Sequence, residues 1–416
     1  MACSDGKVVY NSYIANFAKR MLIRKMLTPW LWTFLVSSGH FMVDFYGNFL
    51  TPLLPFIGKE WALTNSQLAM IVSVHSLTAN FAQPVFGYWM DRDLCGWSFG
   101  WPILIMGFPM CFLYLAGSYW LLIVFSALAG LGSAIYHPLG AKRVNEGVDE
   151  QKALNMSFYS SLGNLGYAVS PAIVAFMAAA KGMTSLAYLM IPGLLWIMIM
   201  RGYQKQKPYE TADEEKRVMK KLPWSSYRPL LKISAIVSLR SWVTMGTTVF
   251  IPLWMVTQGY SEAVVGVLLT CFLIAGSAGS FFSGFLCPRL GEKQTIVLSF
   301  VLTMILLPLF LLNTGWLQIV FLLLLGFIAH VTNPITIVMG QSLLPGQAGL
   351  ASGMTMGFAF GLGGLGITIT GVWADLWGMV AALLITSLAL IPAIFLVFTV
   401  PKSEKEDIGK DIAENL

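Results

Sequence analysis

Twelve stretches of mainly apolar residues, each close to the ~20 residues that cross a bilayer, dominate this chain. They run near 30–57, 66–88, 101–118, 120–140, 154–178, 183–200, 232–257, 263–286, 294–313, 316–341, 349–374 and 378–400. Such stretches leave little structural choice. Hydrocarbon offers no partner to a backbone N–H or C=O, and a helix satisfies both within one segment. Charged residues are only 11% of the 416 residues, less than half of the roughly one quarter carried by soluble domains. The expected fold is an all-α membrane protein of twelve transmembrane helices. The spacing gives two six-helix bundles at 30–200 and 232–400, with an N-terminal segment at 1–29, a linker at 201–231 and a tail at 401–416.

The two bundles read as copies of one another. Pro55 and Gly87-Tyr88-Trp89-Met90-Asp91-Arg92 are answered 197 residues later by Pro252 and the stretch from Gly284 through Arg289 to Lys293. His137-Pro138 is answered by Asn333-Pro334 at an offset of 196, and Leu162–Gly166 by Leu362–Gly366 at 200. Drift of a few residues in loops is what a duplicated fold shows. Two pseudo-symmetric bundles in a membrane imply a substrate path between them that opens alternately to either side.

Basic residues set the expected orientation. With both termini cytoplasmic, 23 of 26 Lys and Arg lie on the inner side and only Lys59 and Lys181 outside, while Arg240 lies within a helix. The net charge of +6 follows from this bias and gives no reason to expect nucleic acid. Residues 1–28 mix Lys19, Arg20, Arg24 and Lys25 with Ile14, Phe17, Met21 and Leu22. They read as an amphipathic helix on the inner leaflet or a disordered basic arm. The five cysteines are scattered, without a CxxC pair, so neither a disulfide framework nor a metal site is expected. No nucleophile–base spacing appears either, so an enzyme is not expected, nor a cofactor.

Polar residues inside the apolar stretches are the candidates for function. An Asp, Lys or Arg at mid-helix is unfavourable by about 2.5–3.5 kcal/mol on insertion scales. Asp44 is the one acid and Arg240 the one clear base so placed, and His40, His75, His137 and His330 are all intramembrane. His40 and Asp44 are four residues apart, so they share one helix face. The repeat offset maps Asp44 onto Ser241, next to Arg240. Two readings of Asp44 follow. It is a proton carrier whose hold on the proton changes as water access alternates, or a fixed structural partner of Arg240 that pins the halves together. Pro138 frees a carbonyl one turn earlier, so His137 has either a transport role or a local packing role. Tyr136, Phe41 and Trp242 are aromatic candidates for lining a substrate site, beside His137 and Arg240. The glycines Gly163, Gly166, Gly357, Gly361, Gly363, Gly364 and Gly366 read as close-packing positions.

Gly87-Tyr88-Trp89-Met90-Asp91-Arg92 resembles the signature loop of the major facilitator superfamily, and Gly284 to Lys293 its weaker second-half form. Within that superfamily the chain resembles fosmidomycin-resistance-type efflux proteins. The matching pieces include Gly39-His40, Asp44, Gln83–Trp89, Gly130–Ser133, His137-Pro138, Gly163-Asn164 and Gly357–Gly366. The intramembrane arginine and histidines suit a small polar or anionic substrate, and a monomer in a prokaryotic-type inner membrane is expected. The resemblance implies proton-driven export of a small molecule from the cytoplasm. In it Asp44 and His40 would handle the proton. Gly87, Asp91, Arg92, Gly284 and Arg289 would form a cytoplasmic latch that closes against the eleventh helix. Uptake by proton symport and uncoupled facilitation use the same parts and stand as alternatives.

Overall fold

The computed structural model of the protein describes residues 30–91, 98–144, 152–206, 227–343 and 351–401. Helices there form twelve successive rods. In the first half, α1 is 30–47 continued by Leu50–Trp61, and α2 is Asn65–Phe81 continued by Gln83–Asp91. Then come α3 (Gly100–Cys111), α4 (Tyr119–Arg143) and α5 (Lys152–Lys181), followed by α6, which is the 3-10 turn Met183–Leu189 and the helix Met190–Gln206. In the second half α7 is Arg228–Thr257, α8 Glu262–Leu290 and α9 Glu292–Leu312. The rod α10 is Gly315–His330 with Thr332–Ser342, α11 is the π-helical turn Gly353–Phe358 with Ala359–Trp377, and α12 is Met379–Ser387 with Leu390–Thr399. Among the described residues, nine helices are each long and apolar enough to cross a membrane.

The expected stretches all recur, with altered ends. The first six residues of the expected linker belong to α6 and its last residues to α7, so a helix replaces loop at both sides; 207–226 lie outside the described residues. So do the N-terminal segment, Arg92 and the tail from 402. The rod α3 stops at Cys111, short of the expected 118, because the chain turns through Leu113–Leu115 before Ser118 caps α4.

Proline explains where rods break. Pro52, Pro84, Pro192, Pro334 and Pro392 each stand in the first turn of a restarted helix. That turn needs no N–H donor, so proline is tolerated there. Pro138 and Pro171 instead sit inside unbroken rods. Pro138 thus leaves α4 unbroken, while Pro334 stands where α10 restarts. A proline frees the carbonyl four residues before it. For Pro171 this is the Tyr167 carbonyl, which receives Asn48 Nδ2 at 2.8 Å. For Pro334 it is the His330 carbonyl, which receives Ser280 Oγ at 2.9 Å. Neighbouring rods thus repair what proline removes, as membrane interiors require.

The rod α1 is tied into the first half on three sides. Trp32 Nε1 donates to the Arg143 carbonyl at 2.8 Å and Tyr136 Oη to the Val36 carbonyl at 2.6 Å, both from or to α4. Ser170 Oγ of α5 donates to the Phe45 carbonyl at 2.7 Å, and Trp196 Nε1 of α6 to Ser38 Oγ at 2.9 Å. The halves meet where α2 packs on α11 and α5 on α8. Ser73 Oγ donates to the Gly364 carbonyl at 2.7 Å, and Thr368 Oγ1 to Ser73 Oγ at 2.8 Å. Gly266 of α8 abuts the Pro171 carbonyl so closely that a Cβ would stand 2.6 Å from its oxygen. Such contacts matter here because lipid tails are as apolar as the rods, leaving packing and hydrogen bonds to join them.

One contact between the halves lies at the end away from the α6–α7 connection. The Asp375 carboxylate, near the end of α11, accepts from Asn65 N at 2.7 Å, Ser66 N at 2.9 Å and Ser66 Oγ at 2.5 Å. Asn65 and Ser66 open α2, so a carboxylate from one half caps a helix N-terminus of the other. The same end carries Trp120 and Trp316, 74% and 72% exposed and 196 residues apart. Both suit the lipid–water interface, and their spacing repeats that of His137 and Asn333.

Candidate functional site

Asp44 stands in α1 between two imidazoles. Its Oδ2 lies 3.2 Å from His40 Nε2, one turn back on the same rod. Its Oδ1 lies 3.1 Å from Nε2 of His137 on α4. The other acidic residues of the described helices, Glu60, Asp91, Glu262, Glu292 and Asp375, occupy positions at or near helix ends. Asp44 is thus alone in mid-span among the described residues, as its sequence position predicts.

Each imidazole is held by its other nitrogen. His40 Nδ1 lies 2.9 Å from the Tyr159 carbonyl of α5. A carbonyl only accepts, so His40 Nδ1 carries a hydrogen in this arrangement. In the neutral ring Nε2 then presents a lone pair to Asp44, and two acceptors at that distance attract only with a proton between them. His137 Nδ1 lies 3.1 Å from Ser133 Oγ, one turn back on α4. A hydroxyl donates or accepts, so His137 can take either tautomer. The Tyr159 ring stacks on His40 with centroids 3.9 Å apart, and its hydroxyl donates to the His137 carbonyl at 3.3 Å.

Gly163 of α5 sets how closely this cluster is enclosed. A Cβ there would stand 2.6 Å from Asp44 Oδ2 and would also strike the His40 ring. The cluster is enclosed without being sealed. The side chains of His40, Asp44 and His137 are 9%, 18% and 28% exposed. One ligand atom from each of His40, Asp44 and His137 lies within 4.8 Å of the others, close enough to share a metal ion. Cysteine spacing does not point to this cluster. It arises because folding joins residues 93 apart.

Arg240 lies on α7 in the other half. Among the described residues no carboxylate comes within 4.0 Å of it, so the Asp44–Arg240 pair considered from the sequence is not formed. Asp44 is already paired within its own half. Arg240 is 2% exposed; its Nη2 reaches Ser241 Oγ at 3.3 Å and its guanidinium lies over the Phe360 ring at 5.3 Å. Its Nε has no hydrogen-bond partner. A buried guanidinium with a free donor and no counter-charge is suited to receiving an anion.

The aromatic candidates are placed differently. Tyr136 is fully buried, with its hydroxyl engaged by Val36 and its ring parallel to His40 at 6.4 Å. Phe41 stacks on Phe45 at 6.0 Å. Trp242 donates from Nε1 to Thr370 Oγ1 at 2.9 Å and leans on Trp373. His75 bonds the Ser126 carbonyl at 3.3 Å and His330 the Gly326 carbonyl at 2.9 Å, each within its own half. Of the latch residues, Gly87 lies against Pro138 and Asp91 ends α2, whose last segment runs beside the π-helical turn of α11. Arg289 is in the last turn of α8, and Gly284 faces open space. Sequence reasoning missed Ser133 as the partner of His137, although its spacing of four was visible. It also missed Asp375 as a link between the halves, which no local pattern signals.

Comparison with known proteins agrees with the fold. The protein-family model described as Major Facilitator Superfamily matches residues 36–365 and 235–414. The fosmidomycin resistance protein of Escherichia coli is 28% identical over 357 residues, covering 82% of this chain and 85% of that protein. The probable nitrate transporter NarT of Staphylococcus epidermidis is 23% identical over 321 residues, 76% and 82% of the two chains. A crystal structure of a bacterial homolog of the human lysosomal transporter Spinster superposes with a TM-score of 0.77 at 13% identity, covering 90% of this chain and 97% of that one. With twelve rods in two related halves and a family match across most of its length, this chain belongs to the Major Facilitator Superfamily of membrane transporters.

Proposed function

We propose that the protein exports a small anionic or polar molecule in exchange for protons, by alternating access between the two halves. One observation carries this reading: His40 is committed by the Tyr159 carbonyl to present a bare Nε2 to Asp44, so a proton makes their contact favourable. A proton held there is exchangeable, since Asp44 and His137 are partly exposed. Asp44 is the carrier in this reading and His40 its partner, with His137 as the second acceptor through which a proton enters or leaves. Arg240 receives the anion, with Trp242, Phe41 and Tyr136 around the path. The names of two relatives fit such a substrate: one speaks of resistance to fosmidomycin and the other of nitrate, an anion.

Motion follows from the contacts between halves. The Asp375 cap closes one end of the path, and Asp91 and Arg92 with Gly87, Gly284 and Arg289 close the other when the halves rock. Both termini lie on the cytoplasmic side of the inner membrane in this reading, because that places the basic residues inside.

The test uses proteoliposomes with an imposed pH gradient and a pH-sensitive dye inside. Fosmidomycin and nitrate are the first probes, followed by other small anions. We expect substrate-triggered proton movement in the wild type and its loss in Asp44→Asn. Proton movement with the opposite sign identifies a symporter. Substrate flux that is intact in Asp44→Asn, with no proton movement in either protein, identifies an uncoupled facilitator and overturns the exchange reading.

A further inference from the structure

We propose that His40, Asp44 and His137 form a binding site for a first-row divalent cation of the zinc type, which takes the place of the proton between them. The ligand atoms have the right separation. A tetrahedral zinc site with bonds of ~2.0–2.1 Å puts its ligand atoms about 3.3 Å apart. Here Asp44 Oδ2 lies 3.2 Å from His40 Nε2, its other oxygen Oδ1 lies 3.1 Å from His137 Nε2, and one ligand atom from each of the three residues lies within 4.8 Å of the others.

The groups behind the ligands make this more than a chance cluster. A metal-ligating histidine generally donates its second N–H to a carbonyl, carboxylate or other fixed acceptor, which sets the tautomer and aims the lone pair. His40 meets that condition through a carbonyl, and for His137 the Ser133 hydroxyl is able to act as the acceptor. His40 Nδ1 is held by the Tyr159 carbonyl and His137 Nδ1 faces Ser133 Oγ. Both therefore present Nε2 toward Asp44. Two neutral imidazoles and one carboxylate match zinc, cobalt or nickel. Calcium and magnesium prefer all-oxygen sites. Asp44 and His137 remain partly exposed, which leaves a path for the ion and room for water or a ligand oxygen as a fourth partner.

The cation and the proton need the same lone pairs, so each excludes the other. Binding of the cation does not depend on proton exchange. Only its effect on transport rests on the function proposed above.

The test is a titration of the purified full-length protein, free of any affinity tag, with Co2+, following its visible d–d absorption. The expected result is saturation at one Co2+ per chain, displacement by Zn2+, and an apparent affinity that tightens about tenfold per pH unit while one proton is displaced. His40→Gln and His137→Gln each weaken binding by at least about tenfold, and Ser133→Ala by about 10–100-fold with recovery in Ser133→Thr. Gel filtration and circular dichroism establish that each variant is folded. No saturable band in the wild type overturns the proposal. So does a band that persists in both histidine variants, or one with the near-ultraviolet charge transfer of thiolate ligation. In proteoliposomes Zn2+ slows substrate-driven proton movement, and less so at lower pH. Cobalt binding as described, with proton movement unaffected by Zn2+, leaves the metal site standing and overturns the assignment of Asp44 as proton carrier.

Discussion

Gly163 and Tyr159 show how differently two neighbours of one cluster respond to change. A methyl group at 163 has no room, since it would stand 2.6 Å from Asp44 Oδ2. Gly163→Ala is expected to push Asp44 and His40 out of register and lower transport by about tenfold or more, while the protein still runs as a folded species on gel filtration. Tyr159→Phe removes a single hydroxyl bond to the His137 carbonyl but leaves the main-chain carbonyl that holds His40. It should cost about 0.5–1.5 kcal/mol of stability, read by thermal melting, with proton movement near that of the wild type. At this scale the sequence was partly legible. His40 and Asp44 announce themselves because four residues is one helical turn. That His137 completes the cluster depends on how α4 crosses α1, which no pattern within either segment encodes. Arg240 was legible as a buried charge but not its surroundings: its cation meets an aromatic face and a serine.

Between rods, the exchange of a lost hydrogen bond for a neighbour's donor can be measured directly. Pro171 leaves the Tyr167 carbonyl free and Asn48 supplies the missing donor. Asn48→Ala should therefore destabilise the protein by about 1–3 kcal/mol, the cost of an unsatisfied buried acceptor. Pro171→Ala restores a backbone N–H at 171, so the double variant should lose less than the single changes add up to. Thermal melting of the four proteins in one cycle checks this. If the two effects simply add, Asn48 is not repairing the helix. The prolines themselves were visible in the sequence. Which prolines break a rod and which are absorbed was not, because absorption depends on a donor from another rod.

At the scale of the whole molecule, the twelve segments and their duplication were legible because apolar length and repeat spacing survive in sequence. The contacts that hold the halves together were not, since they pair residues about 300 apart such as Ser66 and Asp375. Asp375→Asn keeps the shape of the side chain and removes its charge from the N-terminus of α2. The cap is worth about 0.3–1 kcal/mol, so the balance should move about two- to fivefold toward the form open at that end. Spin labels on Thr64→Cys and Trp377→Cys would read this as a larger population at long distance; an unchanged distribution would show that the cap does not set the balance. The partners of Asp44 all lie in the first half, and those of Arg240 in the second. In the proposed exchange the two halves thus divide the labour, the proton held in one and the anion in the other. On that reading, descendants of this scaffold could exchange one anion for another through changes around Arg240 and Phe360, while inheriting the proposed proton cluster untouched.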